Sequence, residues 1–307
     1  MNKKPYRKKE KYFIGVDLGG TEIKAGLTDY QGKVVKSIKK PTGKSKKQLL
    51  NNLSETIQRL DSPRVIAVGI GLPGKINREK GILVYGPNLP FVKNLSLISF
   101  LNKRFKKQFF LENDANCFTL AEAILGQGKN FNYVLGITIG TGIGGGIVVD
   151  KKLYRGIDGT AGEFGHMIVA DSHLFKCSCG QWDHLESLAA GPAMTKWYKK
   201  FTRKKKTTFE IVAEGLKNKK QAKKVLLTMA DYLSNGILNL INVFDPEIIV
   251  IGGGLSKIDL FIKITLKEVE RKRIPLLNQR TKIKKSKLDN QAGIVGAALI
   301  AKNSLNN

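Results

Sequence analysis

The sequence predicts an α/β protein built from two related halves. Two observations predict it. Strand-like apolar runs alternate with helix-like segments along the chain. A stretch near the start also recurs in the middle: "GVDLGGTEIKAGLTD", from Gly15, lies on "GITIGTGIGGGIVVD", from Gly136. Gly15 falls on Gly136, Asp17 on Thr138, Gly19 on Gly140 and Asp29 on Asp150. Both copies run apolar strand, small-residue turn, strand, and glycine lets a ligand approach the backbone closely. One such turn in each half implies a duplicated fold with a ligand clamped between two lobes.

Element by element, residues 12–40 read as three strands with glycine turns. "SKKQLLNNLSETIQRL" reads as a helix, and "RVIAVGIGLPG" as an apolar strand entering a Pro-Gly turn. "FFLEND" is a short strand ending in polar residues, with the helix "ANCFTLAEAILG" behind it. A second strand cluster opens at "YVLGITIGTGIGGGIVVD", and residues 192–244 are mostly helical in pattern. "EIIVIGGGLS" is again strand, glycine turn and helix, and "AGIVGAALIAKN" (292–303) closes the chain as a helix. The expected organisation is a basic flexible N-terminus (1–11), an N-terminal small lobe (12–118) closed by helix 292–303, and a C-terminal large lobe (119–291).

A chain of 307 residues with 42% apolar content suits about two globular domains with a sizeable core. No stretch approaches the ~20 apolar residues of a membrane span. The basic start has no signal-peptide apolar run behind it, so the expected location is the cytoplasm. Three cysteines cannot build a disulfide framework, and Cys117 reads as a buried helical thiol. The net charge of +28 comes mostly from lysines spread over many segments, without interleaved aromatics. Stacking platforms need those aromatics, so the lysines read as solvated faces and no specific nucleic-acid partner is expected.

The glycine turns carry the first chemistry. "DLGGT" (Asp17 to Thr21) combines side-chain-free N–H groups, a hydroxyl and a carboxylate. Concave N–H turns bind phosphate, and Asp17 would hold Mg²⁺ directly or through water. "TIGTGIGGG" (Thr138 to Gly146) is a second cradle, and "IGGGLS" (Ile251 to Ser256) a third turn fit to bound an adenosine. None is a P-loop, because no Gly-Lys-Ser/Thr follows. Together they make a nucleoside triphosphate the leading ligand. In "LENDANC", Asn113 and Asp114 follow a strand, where α/β folds gather ligand residues. Asp114 there can accept a proton from an attacking hydroxyl, while either residue can equally cap the next helix.

"GTAGEFGHMIV" sets Glu163 and His166 on a glycine-flanked turn. Cys177, Cys179 and His184 follow in "KCSCGQWDHLES". With His166 they make a two-Cys, two-His set of the kind that holds structural zinc. Spacing alone leaves a metal knuckle and a reduced loop equally open. His173 lies in a polar loop and reads as solvated.

In this order the motifs resemble the ROK family of repressors, open reading frames and sugar kinases, from about Phe13 to Ala301. "GVDLGGTEIKAGL" is similar to the family's first phosphate motif and "ITIGTGIGGGIV" to its second. "GIGLPGKIN", "GPNLP", "LENDAN", "GEFGHM" and "CSCGQWDHLESLAAGPA" resemble its remaining signatures. The resemblance implies a two-lobed actin-like ATPase (ribonuclease-H-like) fold with ATP in the cleft between the lobes. It implies Asp114 as general base, and Asn88, Asn113, Asp114, Glu163, His166 and Glu186 as sugar ligands. Asp17, Gly19, Gly20, Thr21, Lys24, Thr138, Gly140, Thr141 and Gly142 match the phosphate region, and Gly253 and Gly254 the adenosine side. His166, Cys177, Cys179 and His184 match the zinc knuckle. Two positions depart from the family: Asp183 stands where a glycine is usual, and His184 where a third cysteine is usual. His184 keeps the ligand count, whereas Asp183 is expected to tighten the turn less readily.

The expected activity is therefore an ATP-dependent, Mg²⁺-assisted sugar kinase acting on a hexose, glucose to glucose 6-phosphate first. N-acetylmannosamine, N-acetylglucosamine and fructose are the alternatives within the family. A non-catalytic sugar-sensing regulator is the alternative of another class. DNA-binding members carry a winged-helix domain ahead of the sugar domain, and only about a dozen residues precede "FIGVDLGG" here. A homo-oligomer, dimer or tetramer, is the expected assembly.

Overall fold

The computed structural model describes residues 11–275 and 280–305. The segment 1–11, expected to be basic and flexible, lies outside the described residues apart from Lys11. The chain forms two compact units, Met1–Ala121 with Asn290–Asn307, and Glu122–Asp289.

The first unit opens with strands β1 (Tyr12–Leu18), β2 (Glu22–Thr28) and β3 (Val34–Pro41). These form an antiparallel meander. Helix α1 (Lys46–Gln58) follows, and the hydroxyl of its N-cap Ser45 accepts from the Gln48 amide at 3.3 Å. Leu49, Leu50, Leu53 and Ile57 recur at helical spacing and are the residues that α1 buries. Strand β4 (Val65–Leu72) lies parallel to β1 and is apolar almost throughout. A small sheet of β5 (Lys75–Asn77), β6 (Ile82–Tyr85) and β7 (Lys93–Ser96) comes next, then α2 (Leu97–Asn102). Strand β8 (Gln108–Asn113) completes the main sheet in the order β3-β2-β1-β4-β8, and α3 (Asp114–Ile124) follows it without a break.

The second unit repeats the plan. Strands β9 (Tyr133–Ile139), β10 (Ile143–Val149) and β11 (Lys152–Leu153) again form an antiparallel meander. Helices α4 (Leu185–Ala189), α5 (Gly191–Thr202), α6 (Thr208–Leu216) and α7 (Lys220–Phe244) occupy the helical region. Strand β12 (Ile248–Gly252), helix α8 (Asp259–Lys272) and strand β13 (Lys282–Lys285) complete it. The sheet order is β11-β10-β9-β12-β13, with β9, β12 and β13 parallel. β1 and β9 thus hold the same place in their sheets, and the glycine turns after them are equivalent. Duplication read from the sequence is duplication of topology. The core of this unit packs α5 and α7 (Met194, Trp197, Leu226, Leu233, Ile237) with Ile137, Ile139 and Ile249 of its sheet.

Glu122, fully buried, accepts from the amides of Gln127, Lys287 and Leu288 at 2.9, 3.1 and 2.9 Å and from the Ser286 hydroxyl at 2.5 Å. It fastens the end of α3 to the segment after β13. The chain then closes as α9 (Ala292–Ser304), which packs on β1, β4 and β8 of the first unit. A Cβ at Gly15 or Gly69 would run into the carbonyl oxygens of Ile294 or Ala297, so helix backbone rests directly on strand backbone. Cys117 is fully buried, as its helical setting implied, and its carbonyl faces Gly296.

Gly69→Ala is expected to push α9 off the sheet and to destabilise the protein by about 3 kcal/mol. Denaturant unfolding measures it; a midpoint equal to wild type would show that the helix can retreat freely.

Candidate active site and metal centre

The first glycine turn joins β1 to β2. Gly19 donates its amide to the Glu22 carbonyl at 3.0 Å, and Thr42 braces the turn through its hydroxyl on the Gly19 carbonyl at 2.6 Å. A Cβ at Gly20 would lie 2.6 Å from the Asn88 Cβ, so this turn and the "GPNLP" segment touch. Asp17 stands opposite Lys24 in the β1–β2 register, which puts both on one face of the sheet. Burial pushes the Asp17 carboxyl above the usual carboxylate range; Lys24 opposes that and Glu22 adds to it. The carboxylate also lies against the first turn of α9, where a Cβ at Gly293 would come within 2.7 Å of its Cγ. Asp17, Gly19, Gly20, Thr21, Lys24 and Asn88 are therefore assembled in one unit.

Asn113 ends β8 and Asp114 begins α3. The Asn113 Oδ1 accepts from the Ala115 and Asn116 amides at 2.9 and 3.1 Å, which makes Asn113 the cap of the helix. Asp114 Oδ1 also accepts from the Ala115 amide, at 2.8 Å. Both side chains are thereby held at the sheet's carboxyl end, where α/β folds place ligand groups. Beneath them sits a group that the sequence reading did not single out. Glu112 is fully buried and accepts from Arg78 Nη1 at 3.1 Å, from the Asn113 amide at 3.0 Å and from Asn116 Nδ2 at 3.0 Å. An acid inside the apolar run "QFFLEN" was its sequence signal.

In the second unit the turn Gly140–Gly142 joins β9 to β10. The Gly140 amide donates to the Gly142 carbonyl at 2.9 Å, and the Gly140 carbonyl accepts from the Gly191 amide at 2.8 Å. Thr138 pairs with Gly252 at the end of β12. Gly253 has φ +86 and a Cβ there would lie 2.5 Å from the Ile139 carbonyl oxygen, so "IGGGLS" abuts the second turn. A Cβ at Gly140 or Gly254 would meet nothing within 4 Å. Internal packing does not demand glycine at those two positions.

Glu186 links this turn to the cysteine loop. Its Oε2 accepts from the Ile143 amide at 3.0 Å and occupies the space that a side chain at Gly142 would need. Its Oε1 lies 3.3 Å from the Ser178 hydroxyl and 3.8 Å from Cys177 Sγ. Glu163 Oε2 lies 3.9 Å from His166 Nε2. Burial raises the Glu163 carboxyl, His166 lowers it and Glu186 raises it, so the three form one electrostatic group.

The four knuckle residues converge. His166, Cys177, Cys179 and His184 each offer a ligand atom, and these atoms all lie within 4.8 Å of one another. His166 Nδ1 is 3.1 Å from His184 Nδ1 and 3.8 Å from Cys177 Sγ, and Cys179 Sγ is 3.3 Å from His184 Nδ1. Tetrahedral zinc sets nitrogen and sulfur donors about 3.3–3.8 Å apart; these separations lie close to that, and two Cys with two His is a donor set that suits the ion. His166 turns Nδ1 to this group and Nε2 to Glu163. Burial, with His166 beside it, lowers the His184 pKa and favours the neutral ring that ligates metal.

Asp183 corrects the sequence expectation. It adopts φ +56, the left-handed backbone for which glycine is favoured. Its carboxylate is buried and accepts from the amides of Ser172, Leu174 and Phe175 at 2.9, 2.8 and 3.1 Å. The turn is therefore braced by this residue. Burial works against its charge, but the backbone donors outweigh that and hold the carboxyl below its usual range. His173 is exposed, and its ring lies tilted against Trp182, 5.3 Å between centroids, outside the metal group.

Two repeated sheets, each with a glycine turn after its first strand, define an actin-like (ribonuclease-H-like) α/β protein of the sugar-kinase type. The chain belongs to the ROK family, whose pattern matches residues 13–304. It is 34% identical to a glucokinase of Thermotoga maritima over 307 aligned residues, which cover 94% of this chain and 96% of that one. The ROK hexokinase of Thermus thermophilus is similar in structure, with a TM-score of 0.86 at 30% identity, covering 96% of this chain and 99% of that one. A ROK family glucokinase from Streptomyces griseus, solved in complex with glucose and AMPPNP, gives a TM-score of 0.83 at 28% identity, covering 95% and 99%.

Purified protein is expected to carry about one zinc per chain by elemental analysis, and Cys177→Ser to carry much less. An active, metal-free preparation would refute the knuckle as a zinc site.

Proposed function

We propose that this chain is an ATP-dependent hexose kinase that phosphorylates glucose to glucose 6-phosphate. The observation that carries the reading is the Asn113–Asp114 pair, held at the carboxyl end of β8 by the α3 cap, in a chain with two equivalent glycine turns. A relative at 28% identity that binds glucose and AMPPNP supports the choice of sugar and phosphate donor.

Asp114 accepts the proton of the sugar hydroxyl as it attacks the γ-phosphate. Asn113, Asn88, Glu163, His166 and Glu186 hold the sugar's other hydroxyls. The turns at Gly19–Thr21 and Thr138–Gly142 present backbone N–H groups to the phosphates, with Lys24 adding positive charge, and Gly253 and Gly254 leave room for the adenosine. Asp17 would hold Mg²⁺ directly or through water, and the ion would supply countercharge to the phosphates, which suits a carboxylate set against burial. His166, Cys177, Cys179 and His184 would hold a structural zinc, which would fix the loop carrying Glu186. Phosphoryl transfer needs positioning and electrostatics more than covalent chemistry from the protein, and these groups supply both.

The enzyme works in the cytoplasm on free sugar, and among the described residues no helix is long and apolar enough to cross a membrane. It is a homo-oligomer, dimer or tetramer, which light scattering on the purified protein reads directly.

Asp114→Asn is expected to lower kcat by about a thousandfold or more, while ATP binding persists. Near-normal turnover would sink Asp114 as the base. A panel of glucose, N-acetylmannosamine, N-acetylglucosamine and fructose with ATP and Mg²⁺, read by ADP release, fixes the acceptor; glucose is expected to have the highest kcat/KM.

A further inference from the structure

Asp183 ties together two segments that both lead into the knuckle. Residues 172–175 run directly towards Cys177, and Asp183 immediately precedes His184. Three amides of the first segment, those of Ser172, Leu174 and Phe175, donate to the Asp183 carboxylate. The Asp183 amide returns a bond to the Phe175 carbonyl at 3.1 Å, and the Asp183 carbonyl accepts from the Val169 amide at 3.2 Å. The Phe175 carbonyl also accepts from the Ser187 hydroxyl at 3.2 Å, one residue beyond Glu186. Segment 169–175 is thus pinned to position 183 through both backbone and side chain.

The backbone conformation sharpens the point. A left-handed φ of +56 is strained for any residue but glycine, and aspartate is among the few that tolerate it. If the turn alone mattered, glycine would serve it better. What aspartate adds is a carboxylate, and carboxylates that accept several backbone N–H bonds hold loops firmly.

We propose that Asp183 is a positioning residue: its carboxylate pre-assembles the strap 172–175, and so sets Cys177 and Glu186 in place before metal or sugar arrives. The inference rests on the reading of Glu186 as a sugar ligand. It assigns to Asp183 a share of sugar affinity, exercised through the strap and not through contact with sugar or metal. Loosening the strap frees Cys177, whose Sγ lies 3.8 Å from Glu186 Oε1, so that oxygen loses a fixed neighbour while Oε2 stays on the Ile143 amide.

Asp183→Gly tests this, because glycine accepts the same backbone and removes only the carboxylate. In metal-free protein, hydrogen exchange at the Ser172, Leu174 and Phe175 amides is expected to quicken on the order of tenfold or more. In zinc-loaded enzyme, KM for glucose is expected to rise severalfold, with kcat at saturating glucose and KM for ATP unchanged. Asp183→Asn retains one carbonyl oxygen as an acceptor and is expected to restore part of both effects. Unchanged exchange in Asp183→Gly overturns the proposal, as does faster exchange with an unchanged KM, which would make the carboxylate a local brace only. A wild-type chain that phosphorylates no sugar would sink the kinase reading alone, since the exchange measurement needs neither activity nor metal.

Discussion

Backbone rests on backbone where α9 crosses the first sheet, and much of that unit depends on it. No side chain separates Gly15 and Gly69 from the carbonyls of Ile294 and Ala297. A close-packed interior has no slack at such a crossing, so the helix has one depth and one register. That depth brings the first turn of α9 against Asp17 and the carbonyl of Cys117 against Gly296. Asp17 is thereby fixed from three directions: by its own strand, by Lys24 across the hairpin, and by a helix from the far end of the chain. A carboxylate that faces phosphate chemistry gains from this restraint, since it has little freedom left to lose when a ligand arrives.

The second unit solves the same problem with side chains. Glu186 stands between the second glycine turn and the cysteine loop, with one oxygen on the Ile143 amide and the other near Ser178 and Cys177. His166 likewise has two faces, one toward the knuckle atoms and one toward Glu163. The geometry of the turn and that of the knuckle are therefore not independent. Asp183 extends this arrangement outward by clasping a strap of four residues, 172–175, against the base of the knuckle.

Much of this was legible in the sequence where one local rule decides the outcome. Apolar runs closed by glycine gave away β1, β4, β9 and β12, and the internal match of Gly15 with Gly136 foretold two sheets of one topology. The stretch 45–60 reads as a helix, and α1 occupies Lys46–Gln58 within it. The small sheet β5–β7 escaped notice because "KIN", "ILVY" and "KNLS" are short and mixed in polarity, and long-range pairing decides their state. Glu112 and Glu122 escaped for a different reason. A buried acid is intelligible only once its donors are in place, and beside local ones these include Arg78 for Glu112 and residues 286–288 for Glu122, far along the chain. Asp183 was misjudged because the expectation weighed only its backbone. Aspartate is a poorer turn residue than glycine until its side chain finds three amides.

The place of α9 also reverses the order in which the molecule can be finished. Residues 122–289 make up one unit as a contiguous stretch, whereas the first unit joins residues from both sides of it. On the ribosome, the sheet begun by β1 waits for its covering helix until the whole second unit has emerged. Until then the apolar faces of β1 and β4 lack the surface that α9 supplies. The helix that covers β1 and β4 is thus supplied by residues that follow the whole second unit, and apolar strand faces left waiting for a distant partner are open to aggregation.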